Sequence, residues 1–282
     1  MKTEIRKSVA GWQFWATLFI LCAVAAYCGL NVLIRNISEI NMLAAFYAKN
    51  SNDINRNTMS AAQSLYNNWI GMEWTSPLSG FYFFVFPFCA AIPYGLSLYQ
   101  ERRTGYIAQM MLRETRGKYL RNKYVAVFLS GGLVISIPVI VNIMIVAMHF
   151  PAYKPDLYCD ICYSITAFSF GSHLFYSIPW LYIVLRVFTI FWYGGIAATM
   201  SMAVTFFSRN RFVILFSPMV FFLVLNYSNK LFPVTSEISP LRFLGSGTLG
   251  HVDTGVVMGE AVFLTAITIL VVWIRGRKHD VL

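Results

Sequence analysis

Residues 99–124 read YQERRTGYIAQMMLRETRGKYLRNKY and hold seven Lys or Arg. The chain around them is 57% hydrophobic and only 12% charged. A basic stretch set between two long apolar runs is the pattern of a loop joining membrane-spanning helices. A span needs about 20 mostly apolar residues, because a helix rises ~1.5 Å per residue and the hydrocarbon core is ~30 Å thick. With several such runs and a mean hydropathy of +0.60, the sequence predicts an all-α integral membrane protein in a single transmembrane domain, 1–282.

Working outward, six runs are candidate spans: 12–33, 78–98, 125–148, 180–207, 212–225 and 255–274. The first follows the basic stretch KTEIRK, and its apolar run exceeds the ~7–15 residues of a signal-peptide core. It is expected to be retained. Pro87 and Pro93 mark kinks in the second span. The fifth is short and interrupted by Pro218. Between the first two spans lies an outer loop, 34–77, with room for two short helices near 40–49 and 59–69, the second capped by Asn57 or Thr58. Ala62, Leu65, Tyr66 and Trp69 fall there at helical spacing, as in a small cap on the membrane surface or a binding lid.

Charge sets the orientation. If the N-terminus, the 99–123 loop, SRNR (208–211) and the C-terminus share one side, that side carries fifteen basic residues against six in the opposite loops. Short basic loops stay cytoplasmic, so both termini are expected inside. The net charge of +10 then reports topology, and no nucleic-acid partner is expected.

Few motifs carry chemistry. GSGTLG, with Gly245, Gly247 and Gly250, has the GxGxxG spacing but lacks the βαβ context that a dinucleotide site needs. Cys159 and Cys162 form CDIC near His149 and His173. The pair is read as a local disulfide, as two free thiols or, weakly, as half of a zinc site. Cys22, Cys28 and Cys89 lie in spans as packing residues. Arg186 and Glu260 are charges inside spans, each about 10 Å from an outer boundary by helix rise. They either snorkel outward or pair, structurally or as an outer gate. No span carries the acid pairs, metal-ligand pairs or Ser/Lys sets of intramembrane hydrolysis. No acid sits near a midplane, as gradient-driven transport would require, and no GxxxxGK[ST] occurs. The chain is read as neither an enzyme nor a cofactor binder.

On a helix, ERRTGYIAQMML places Tyr106, Ile107, Met110 and Met111 on one face and Glu101, Arg102, Thr104 and Gln109 largely elsewhere, with a break expected near Gly117. Such a helix could lie on anionic lipid, could enforce topology, or could dock its apolar face in a groove on a cytoplasmic partner. LYQERRTGYIAQMMLRETRGKYLRNKY resembles the region after the second span in permease subunits of ABC-2-type exporters. Glu101, Arg102, Gly105 and Lys123 match that family's acid, base, Gly and Lys. Residues 228–253 resemble its re-entrant helices before the last span.

The resemblance implies a dimer, identical or with a sister permease, in the bacterial cell membrane. Two cytoplasmic ATPase subunits would bind ATP and Mg. Residues 99–123 would be the coupling region, with Glu101, Arg102, Gly105, Tyr106, Ile107, Met110 and Met111 contacting the ATPase. It implies export of an amphipathic substrate (peptide, antibiotic or lipid-like) by alternating access. The alternative is a non-transporting accessory or immunity protein that binds a peptide or lipid through its outer loops.

Overall fold

The computed structural model describes residues 2–49, 64–73, 76–155, 165, 169–231, 237–245 and 251–278. Their regular structure is all helix, with no strand among them. Among the described residues, five helices are long and apolar enough to cross a membrane. They lie within α2 (Trp12–Lys49), α7 (Arg116–Ala147), α9 (Pro179–Val204), α10 (Arg211–Leu231) and α12 (Thr254–Lys278).

The expected second span differs. Its helix, α4 (Pro77–Ala91), has 15 residues, about 22 Å by helix rise. The cause is Pro93, which has no N–H to offer the Cys89 carbonyl. The Ile92 amide takes that oxygen at 3.3 Å instead, and the chain turns before α5 (Ser97–Arg103). The fifth expected span, by contrast, runs unbroken for 21 residues through Pro218. Proline there frees the carbonyl of Ile214, and the hydroxyls of Ser201 and Ser217 donate to it at 2.9 and 2.8 Å. A helix crossing an apolar medium tolerates proline when neighbours satisfy the freed group.

Residues 40–49 also differ from expectation, because they continue the first long helix without a separate start. Of the second outer helix, 59–63 and the caps Asn57 and Thr58 lie outside the described residues. What is described is one turn, α3 (Leu65–Asn68), with the Ser64 side chain accepting from the Tyr66 amide.

The centre of the bundle is the α7–α9 pair, with α2 along α7 and with α4, α10 and α12 around α9. Small residues let the central helices approach. A Cβ on Gly131 would lie 2.8 Å from the Gly194 carbonyl oxygen and 2.4 Å from Ala198 Cβ. Close backbone approach through small residues is how helices associate where no hydrophobic effect separates protein from lipid. Polar side chains tie the rest inside. Asn142 on α7 accepts from the Ile70 amide at 2.8 Å and donates to the Ala25 carbonyl at 2.7 Å. The outer faces of α2, α10 and α12 present rows of exposed apolar residues, among them Trp15, Phe19, Val220, Val224, Phe263 and Leu270. A continuous apolar exterior of this kind suits a multi-pass membrane protein.

Candidate functional site

The charged residues of the opening stretch gather at one end of the bundle. Leu98 and Ile107 pack with Tyr94, Tyr119, Leu120, Phe206 and Val272 in a small core of their own. Beside it Lys123, on α7, is wholly buried. Its ammonium donates to Glu101 at 2.6 Å, to the Tyr94 hydroxyl at 3.1 Å and to Glu4 at 3.4 Å. Three acceptors match the three N–H bonds of an ammonium.

The network closes on itself. Tyr94 donates onward to Glu4 at 2.9 Å, and the Tyr119 hydroxyl donates to the second oxygen of Glu101. Lys7 bridges Glu4 at 3.2 Å and the Tyr106 hydroxyl at 3.0 Å. Two acids and two bases thus balance, with Lys7 at the exposed edge, and the opposite charges are what allow Lys123 and Glu4 to be buried. Burial acts to raise the Glu4 carboxyl. The Lys123 charge, with Tyr94 and Lys7, more than offsets it and leaves Glu4 below its ordinary value.

This cluster positions the segment after α4. It joins α5, α6 (Tyr106–Met111), α7 and the N-terminal helix α1 (Lys2–Ala10). Gly105 sits between α5 and α6 at φ 71°, a left-handed conformation that favours glycine. The single amphipathic helix expected over 101–112 is therefore two short helices with a bend. The second break falls at 112–115, and Gly117 lies inside α7.

Ile107 is buried, and Met110 and Met111 are half-buried against the same core. The expected docking face is turned onto the chain's own bundle, because that is where apolar partners lie. What the bend presents outward is Ala108, Gln109, Arg113 and Leu112, the last 90% exposed. Arg102 is half-buried, donates to the Thr205 carbonyl at 3.1 Å and stacks on Phe206 with its guanidinium 4.8 Å from the ring centre.

At the other end of the bundle a buried arginine is held by backbone carbonyls. Arg186 donates to the carbonyls of Phe243, Gly71 and Leu244, the latter two at 3.1 Å. It thereby fastens the end of the short helix α11 (Pro240–Phe243) and the 69–73 turn to α9. Glu260 on α12 instead lies 3.4 Å from the Tyr193 hydroxyl. Of the two alternatives, snorkelling or pairing, neither describes Arg186: it is buried, and its terminal nitrogens bind those carbonyls, not Glu260. Nearby, Arg35 meets Glu73 at 2.7 Å.

Cys159, Cys162, Gly247 and Gly250 lie outside the described residues. His149 and His173 are exposed, and no group of three or more potential metal ligands occurs among the described residues.

The sequence pointed to Glu101, Arg102, Gly105 and Lys123, and the structure brings Glu101 and Lys123 into contact. Glu4, Tyr94 and Tyr119 were missed. The available signal was Glu4 itself, an acid within the basic KTEIRK. Comparison with protein-family models, curated proteins and solved structures gives no match to this chain.

Proposed function

We propose that this chain is the membrane-spanning subunit of an ATP-driven exporter, working with a separate ATPase and a second permease chain. The observation that supports this best is the α5–α6 bend, fixed by a buried ion cluster and offering an exposed tip at Leu112. A motor outside the membrane needs a rigid contact whose affinity differs between two states of the transporter. A bend tied at once to α1 and α7 would pass a push directly to two helices of the bundle. The cargo would be amphipathic, such as a peptide, an antibiotic or a lipid-like molecule, moved out of a bacterial cytoplasm by alternating access.

The test is purification of the full chain from its own membranes in mild detergent. The expected result is a stoichiometric partner carrying a P-loop, lost on Leu112→Asp while the chain still inserts and folds. Purification with no ATPase, from cells in which the chain is functional, would replace this reading with an accessory role.

A further inference from the structure

Beside the ion cluster lies a cavity of about 660 Å³, between the α5–α6 bend, the start of α7 and the 205–209 turn that joins α9 to α10. Among the described residues Arg102, Arg103, Arg116 and Arg209 line it, and no acidic residue does. Its remaining wall is largely apolar, including Ile107, Phe206 and Phe207.

Position identifies the ligand chemistry. The cavity sits where two membrane-length helices, α9 and α12, end and two, α7 and α10, start, and the ends of bilayer-length helices are where headgroups lie. The neighbouring Phe207 and Phe212 are exposed, as apolar anchors at such a boundary are. Glu101 on α5 and Glu4 on α1 are bound to Lys123 and its tyrosines and do not line the cavity. The start of α7 adds to the field, since a helix N-terminus carries partial positive charge, and Thr115 does not cap it with its side chain.

We propose that this cavity binds the phosphate headgroup of an anionic phospholipid, with the acyl chains running along the apolar wall beside Phe207. Basic pockets between helix ends at a membrane surface suit such headgroups. The proposal shares the α5–α6 bend with the exporter reading but needs no ATPase, and the co-purification above tests that reading separately.

The experiment uses the delipidated full chain in detergent, titrated with phosphatidylglycerol or phosphatidylcholine and read by native mass spectrometry. Arg103 and Arg209 are exposed, so their replacement spares the core. Phosphatidylglycerol is expected to bind at least tenfold more tightly than phosphatidylcholine. In the Arg103→Gln, Arg209→Gln double variant its affinity should fall by about thirtyfold. The charge-matched double variant Arg113→Gln, Arg121→Gln, also exposed and outside the cavity, should bind as the parent does.

Equal binding of both lipids, or equal loss in both double variants, would overturn the site. Glycerol 3-phosphate binding as tightly as the lipid would overturn the lipid in favour of a soluble phosphate. If no lipid binds and the Arg103, Arg209 variant instead loses a co-purifying protein, the cavity is a protein contact and the proposal fails.

Discussion

Lys123 on α7 reaches Glu101 on α5 at 2.6 Å, with the lysine wholly buried. This pair joins a membrane-spanning helix to the bend that projects from the bundle's basic end. Removing one partner of a buried pair costs about 3–5 kcal/mol, mostly from the charge left behind. Lys123→Met should therefore destabilise the chain strongly in detergent, since it leaves Glu101 without its lysine and Glu4 with Lys7 alone. Adding Glu101→Gln and Glu4→Gln to that variant should restore most of the lost stability. A triple variant less stable than Lys123→Met alone would show that the two carboxylates are held chiefly by partners other than the lysine.

Glu4 gives the same cluster a pH signature. Its carboxyl is held below the ordinary 4.5 in the folded chain, against the raising effect of burial, by Lys123, Tyr94 and Lys7. A depressed folded value means the carboxylate contributes stability above its unfolded value, and that contribution is lost as pH falls through the folded value. The parent should be more stable than Glu4→Gln at pH 7. That gap should close as pH drops below about 4.5. Thermal unfolding of both proteins across pH 3–7 checks it, and a gap that persists at the acid end would contradict the assignment.

Ser201 and Pro218 should be coupled although they lie on different helices. Ser201 satisfies the Ile214 carbonyl that Pro218 leaves open. Ser201→Ala should cost about 1 kcal/mol, the net worth of an ordinary hydrogen bond. In a Pro218→Ala background the backbone N–H returns, and the same substitution should cost much less. A double-mutant cycle on unfolding free energy measures the difference; equal costs in both backgrounds would dismiss the coupling.

These relationships divide what the sequence could tell from what it could not. Hydropathy alone located the five long helices, since a bilayer-length apolar run has few other uses. Proline misled in both directions. Pro218 was read as an interruption, yet α10 continues because Ser201 lies across from it. Pro93 was read as a kink, yet it ends α4. Whether a freed carbonyl finds a donor depends on a neighbouring helix, which local sequence does not reveal. The same holds at the site. Helical periodicity put Ile107, Met110 and Met111 on one face, but the turn at Gly105 and the core beneath decided that the face looks inward. Similar depth allowed Arg186 and Glu260 to snorkel or to pair, whereas carbonyls from distant segments hold the arginine.

Arg186 makes its own prediction. Three carbonyls converge on one guanidinium, and its loss strands acceptors in a buried setting where each costs about 1–3 kcal/mol. In Arg186→Met the 69–73 turn and the α11 segment should detach from α9 before the bundle opens. Hydrogen exchange should rise at Met72, Glu73 and 241–244, with α7 and the rest of α9 unchanged. Uniformly faster exchange would mean the arginine supports the whole fold instead of fastening two segments.

Leu112 and Ile107 separate docking from folding. Ile107 is buried in the small core at the basic end, whereas Leu112 is 90% exposed five residues later. Ile107→Asp buries an unpaired charge and should lower thermal stability severely, so any loss of a partner in that variant says nothing about contact. Leu112→Asp places the charge in water and should leave stability within about 0.5 kcal/mol of the parent. If the bend meets an ATPase through its exposed tip, the leucine variant should keep its unfolding temperature and lose the partner and its transport-coupled ATP hydrolysis. If it keeps both, the contact lies elsewhere on the basic end, and the bend serves only to close the bundle beneath it.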